Sequence, residues 1–171
     1  VLHVKLGTVS EDDTAPKPLF YRDGTSYKVR LLGLANGSTY KLYATATNEH
    51  GESPLSEEVT GTPATTADAP RDLGAEVQSD KAVTLTWRAP LYNGGGAITE
   101  YVVETYKVGS DSRKLVSTNR TSATDMKITV SNLDTGGEYE FQVYAVNKAG
   151  EGEIAETEPV TTFNRPGKPT I

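Results

Sequence analysis

The chain repeats itself, and that repetition limits its fold more than any other feature. The stretch YKVRLLGLANGSTYKLYATATNEHGES, beginning at Tyr27, superposes without a gap on MKITVSNLDTGGEYEFQVYAVNKAGEG, beginning at Met126. The offset is 126 − 27 = 99 residues. Leu34 falls on Leu133, Gly37 on Gly136, Tyr40 on Tyr139, Ala46 on Ala145, Asn48 on Asn147 and Gly51-Glu52 on Gly150-Glu151. Matches at glycines and at spaced aromatic positions over so long a run mark two copies of one module. Whatever fold the chain adopts must therefore be adopted twice within 171 residues.

Each copy reads as β. Tyr139, Phe141, Val143 and Ala145 alternate with Glu140, Gln142 and Tyr144, and Tyr40, Leu42, Ala44 and Ala46 do the same in the first copy. Val83, Leu85 and Trp87 form another alternating run, and Ile128 and Val130 a shorter one. A period of two belongs to a strand with one face inward. Turn residues separate these runs, and no segment sustains a 3.6-residue period. Short strands at regular spacing with turn-rich connections indicate antiparallel β-sandwiches.

The seam between the copies is GTPATTADAPRD, residues 61–72, and NRPGKPT at 164–170 has the same character. Threonine, alanine and proline favour an extended, stiff connection. The expected division is a first module over 1–66, a second over 67–164, and a linker to a following domain over 165–171. Counting back 99 from Trp87 gives a position before residue 1, so the first module is expected to lack its first two strands, the counterpart of 73–90. VLHVKL at the start aligns instead with EYVVETYK around residue 101. Half a sandwich leaves an apolar face in water, a loss of several kcal/mol at ~25 cal/mol per Å². The simplest reading is a piece cut mid-module from a longer array; the alternatives are missing strands supplied by another chain and an aberrant N-terminal pairing.

These residues together resemble the fibronectin type III module. In the second copy the resemblance rests on Pro70 and Leu73, on Leu85-Thr86-Trp87-Arg88-Ala89-Pro90, and on Ile98-Thr99-Glu100-Tyr101-Val102-Val103. It continues with Leu133, Gly136 and Tyr139 and ends with Ala145-Val146-Asn147-Lys148-Ala149-Gly150. The first copy matches from about its third strand onward. The resemblance implies an all-β chain of two immunoglobulin-like sandwiches in tandem. It also implies a tyrosine corner at Leu133-x-x-Gly136-x-x-Tyr139 and again at Leu34-x-x-Gly37-x-x-Tyr40, in which the Tyr hydroxyl turns back to an upstream backbone group. Gly37 and Gly136 are candidate positive-φ positions. Many members carry proline just before the corner glycine, where this chain has Asn36 and Thr135. Asn36-Gly37-Ser38 and Asn119-Arg120-Thr121 are glycosylation-type sequons.

Chemistry is sparse. Without cysteine there are no disulfides, zinc–thiolate sites or thiol nucleophiles. A net charge of −6 with no basic run argues against a nucleic-acid partner, and no apolar stretch is long enough to span a membrane. His3 and His50 are the only histidines, and neither belongs to a catalytic constellation. Glu11-Asp12-Asp13 and Glu57-Glu58 lack the ligand spacing of a calcium loop and read as charges that discourage edge pairing. No enzyme, cofactor or metal site is expected.

LYNGGGAITEY, residues 91–101, superficially resembles a phosphate loop. Its glycines follow a strand and lead into a strand, whereas an anion loop opens a helix. It therefore reads as the loop that crosses between sheets. Its loop part, 91–96, lies with 121–125 and 148–151 among three loops at one end, where partners dock in many sandwich modules. Tyr92, Asn93, Gly94 and Gly95 are the candidate partner-binding residues. The function implied by the resemblance is a non-catalytic, extracellular spacer that positions adjacent domains of the same polypeptide. The alternatives are an adhesion module for a protein or glycan ligand, and an accessory domain of a secreted carbohydrate-active enzyme. Similar modules occur in bacterial surface and secreted proteins and in animal adhesion and muscle proteins.

Overall fold

In a computed structural model, residues 2–7, 17–23, 26–110 and 112–163 are described. They form strands and turns with no helix among them, divided into two compact units at Ala64/Thr65. The first unit holds β1 (Leu2–Gly7), β2 (Lys17–Asp23), β3 (Ser26–Leu32), β4 (Tyr40–Asn48), β5 (Gly51–Glu52) and β6 (Val59–Gly61). The second holds β7 (Arg71–Ser79), β8 (Ala82–Arg88), β9 (Ile98–Val108), β10 (Arg113–Ser122), β11 (Lys127–Val130), β12 (Glu138–Asn147), β13 (Gly150–Glu156) and β14 (Val160–Thr161).

The second unit has two antiparallel sheets. One runs β10-β9-β12-β13 with β14 also on β12, and the other runs β11-β8-β7. Alternation dictates which side chains meet between them. Val83, Leu85 and Trp87 from β8 face Tyr101 and Val103 of β9 and Tyr139, Phe141, Val143 and Ala145 of β12, all buried in one cluster. Trp87 packs edge-on against Tyr101 at 5.5 Å and 62°. The two rings belong to different sheets, so the tryptophan bridges the sandwich as its size suggests. Burying such a ring removes on the order of 150–250 Å² from water.

The first unit repeats this register. Leu2↔Ala46, Val4↔Ala44 and Leu6↔Leu42 between β1 and β4 become Tyr101↔Ala145, Val103↔Val143 and Thr105↔Phe141 when 99 is added to each number. Tyr40↔Gly61 likewise becomes Tyr139↔Val160. The described first unit thus has counterparts of β9 to β14 and none of β7 and β8, as the repeat led us to expect. One pairing was not anticipated. β11 pairs with β8 and β10 with β9, but their counterparts β3 and β2 pair with each other as a hairpin. A strand edge carries donors and acceptors that need partners. With no β8 counterpart alongside β3, β2 takes that place.

Both tyrosine corners are present. Asp134 N donates to Tyr139 Oη at 2.8 Å, and Ala35 N donates to Tyr40 Oη at 2.9 Å. Gly136 and Gly37 have φ of 68° and 83°, as the corner requires. A further constraint lies at Gly137, where a Cβ would sit 2.7 Å from the Tyr139 ring. The second glycine of Thr135-Gly136-Gly137 thus makes room for the tyrosine.

Candidate functional site

The end of the second unit is assembled by strand register. Ser122↔Glu100 and Asn147↔Ile98 are the last pairs of their ladders, so the loops after β8, β10 and β12 gather at one end. Trp87 N donates to Met126 O at 3.1 Å, tying the loop after β10 to β8.

Asn147 organises the loop that contains the glycines. Its Nδ2 donates to Thr65 O and to Asn93 O, each at 2.8 Å. Its Oδ1 accepts from Ala149 N at 2.8 Å. The side chain is 5% exposed, and both ends of its amide are satisfied, as a buried polar group requires. Around it, Thr65 N donates to Gly94 O at 2.8 Å, Asp68 N to Tyr92 O at 3.0 Å and Glu153 N to Ala67 O at 2.9 Å. The leading segment 65–68, the loop after β8 and the turn after β12 are thereby clasped by backbone bonds centred on one side chain.

Gly94 explains the glycine run. It is buried, with φ of 74°. A Cβ there would drive into the Thr65 carbonyl and lie 2.7 Å from Thr66 O and 2.8 Å from Asn147 Nδ2. Only glycine fits this close backbone approach. The loop is shaped by contact with its own chain.

The four residues expected to meet a partner do share this loop, but unequally. Tyr92 and Asn93 are exposed, Gly95 is half-buried and Gly94 is buried. Leu91, beside them, is 80% exposed. Asn93 also steadies the turn, since its Oδ1 accepts from Gly95 N at 3.0 Å. Sequence reasoning missed the role of Asn147. The available signal was its identity with Asn48, an asparagine present at the same place in both copies.

The outer face of the sheet β10-β9-β12-β13 carries an ionic lattice. Arg113 donates to Glu140 at 2.8 Å and also binds Glu156, while its guanidinium lies 4.7 Å from the centre of the Tyr106 ring. Arg120 pairs with Glu100, and Gln142 Nε2 donates to Glu156 at 3.1 Å. The hydrogen bond from Arg113 holds the Glu156 carboxyl below its ordinary range. Lys107, 2.6 Å from Asp134, does the same to that carboxyl through its hydrogen bond and charge. Burial pushes the Tyr101 hydroxyl up.

The remaining candidates are separate from this end. His50 is exposed in the turn after β4, 3.4 Å from Glu49. Glu58 accepts from Lys41 at 3.1 Å and from Tyr43. Asn119 is half-buried on β10, and Asn36 is exposed in the turn before β4. Glu11-Asp12-Asp13, residues 164–171 and the side chain of His3 lie outside the described residues. Among the described residues no three His, Asp or Glu side chains group as metal ligands, and no helix is long and apolar enough to cross a membrane.

Two antiparallel sheets closed by a cross-sheet tryptophan, a tyrosine corner in each copy and a loop end built from backbone bonds define an immunoglobulin-like sandwich module in tandem. Residues 68–163 match the model of the fibronectin type III domain, and the chain belongs to that family. It is 31% identical over 155 residues to titin of Drosophila melanogaster, a match covering 88% of this chain and 1% of that protein. It is 29% identical over 138 residues to neural cell adhesion molecule L1 of Rattus norvegicus, covering 80% of this chain and 11% of that protein. The chain thus spans a small fraction of the length of the curated relatives it matches. Among solved structures, titin domains A168–A170 superpose with a TM-score of 0.63 and 25% identity, over 96% of this chain and 55% of that one. A structural or interaction module of a multidomain protein is the class these relatives define.

Proposed function

We propose that the chain is a non-catalytic spacer that sets the separation of neighbouring domains in a longer extracellular polypeptide. One observation carries this reading: the connecting segment is hydrogen-bonded into the unit on either side of it. Pro63 O accepts from Gly37 N at 2.8 Å in the first unit, and Thr65 N donates to Gly94 O at 2.8 Å in the second. Ala64 alone stands between these two anchors. Proline at position 63 further restricts the backbone. A connection of this kind transmits position and load, where a free glycine–serine tether would not. Small-angle scattering tests the reading. Inserting four Gly-Ser residues after Ala64 should visibly increase flexibility over the natural chain; equal flexibility in both would refute it.

The extracellular setting is part of the proposal and is supported by the adhesion molecule among the relatives. A second reading, a docking module for protein or glycan, draws on Leu91 and Tyr92, exposed by 80% and 42% at the loop end. An aromatic and an aliphatic side chain side by side on a backbone-braced loop form a contact patch. A glycan and receptor-ectodomain array tests it. Micromolar binding abolished by Tyr92→Ala would favour docking over the spacer, and binding unaffected by that change would remove the loop from consideration.

A further inference from the structure

Along one side of the second unit the edges of its two sheets leave a gap. β10 ends one sheet and β11 ends the other, and a cavity of about 490 Å³ is lined by residues of both. That volume lies within the ~300–1,000 Å³ range of small-molecule sites. Its lining is mixed. Ser117, Thr129 and Asn132 supply hydroxyl and amide groups, while Val116, Leu133 and Tyr139 supply apolar surface. Such a wall matches a sugar ring, whose rim carries hydroxyls and whose face carries C–H groups.

Asn119 opens onto the same cavity. It stands opposite Val103, a core residue, which places it on the inner face of β10. Ser117 Oγ donates to Asn119 Oδ1 over a long 3.5 Å, and no acceptor for Asn119 Nδ2 is found among the described residues. A half-buried amide normally has both ends satisfied, so this donor is available to something else. The sequence around it says what. Asn119-Arg120-Thr121 is a glycosylation-type sequon with no proline at its centre.

We propose that Asn119 is an N-glycan acceptor and that the first sugar, an N-acetylhexosamine, occupies this cavity. The transfer needs no redox partner. Asn119 Nδ2 attacks the anomeric carbon of an oligosaccharide carried on a polyprenyl diphosphate. The new N–C bond forms as the bond from that carbon to the diphosphate oxygen breaks. The diphosphate leaves with the electron pair, and one amide proton passes to a base of the transferase. The sugar also answers a liability of the fold. β10 is a ten-residue edge strand on which Leu115 and Val116 are each 45% exposed. Such an edge invites pairing with other strands, and a bulky, hydrated group over Val116 blocks it. Natural occupancy rests on the extracellular reading, because donor and transferase belong to the secretory route.

The test expresses the full chain behind a cleavable secretion signal in eukaryotic cells. Amidase release of a glycan leaves aspartate in place of the modified asparagine, which peptide mass mapping reads separately at Asn119 and Asn36. Asn119 should be converted; Thr121→Ala should abolish the conversion and Thr121→Ser should retain it. In a second step the glycan is trimmed to its first sugar, labelled in the acetyl group. NMR cross-peaks should join that group to the Val116 and Leu133 methyls. Unconverted Asn119 would overturn the acceptor site, whatever happens at Asn36. A converted Asn119 whose sugar shows no cross-peak to either residue would overturn the cavity as its seat. Because export is imposed, neither failure bears on the extracellular reading. Failure of that reading would show instead as retention of the natural full-length protein inside the cell.

Discussion

Tyr139 and Tyr101 are both buried core tyrosines, yet they make opposite demands on the protein. The Tyr139 hydroxyl accepts a bond from Asp134 N. The Tyr101 hydroxyl is buried with no partner among the described residues. Tyr139→Phe should therefore lower the stability of the second unit by about 1 kcal/mol or more. Tyr101→Phe should leave it unchanged or raise it. Urea denaturation followed by Trp87, the single tryptophan, reads this unit alone and compares the two directly. Asn147→Ala strips the donor from two carbonyls and should cost about 1–3 kcal/mol. Gly94→Ala adds both a left-handed backbone strain of about 1–3 kcal/mol and a clash, and should be worse. What was legible at this scale was local. Leu133, Gly136 and Tyr139 form their corner within a few residues, so the resemblance to the family could carry it. The partners of Asn147 lie 82 and 54 residues away, and no window of sequence brings them together.

Strands were legible wherever one face is buried, because alternation then records the burial directly. β8 and β12 show this most clearly. Pairing was less so. β2 and β3 take each other as partners because of what lies beside them, and their own side chains do not encode that choice. The ionic lattice around Arg113 was also invisible, since it joins β10, β12 and β13 across the sheet. It has a pH consequence. The Glu156 and Asp134 carboxyls are held below their ordinary range by Arg113 and Lys107. Their contribution is therefore complete above the unfolded carboxylate range and is lost as pH falls through the lower folded values. Both sites are solvent-exposed, so the effect should be modest and weakened by salt. Arg113→Gln should lower the urea midpoint at neutral pH, and the difference from wild type should shrink as pH falls below the ordinary carboxylate range and the folded carboxyls take up protons. A difference that persisted at acid pH would assign Arg113 a packing role over Tyr106 instead.

For the whole molecule, the repeat made the architecture readable, and the glycine run that resembled a phosphate loop became a structural clasp. The seam was read as stiff from its composition; the structure adds the bonds that pin Pro63 and Thr65. Whether that pinning makes the chain a spacer is the central claim. The absence of native cysteine allows a direct test with one spin label in each unit, at Glu57→Cys and Lys127→Cys, both exposed positions. Pulsed electron–electron resonance should return a single narrow distance distribution that broadens when Asn147→Ala opens the clasp. A broad distribution in the natural sequence, unchanged by Asn147→Ala, would contradict the account.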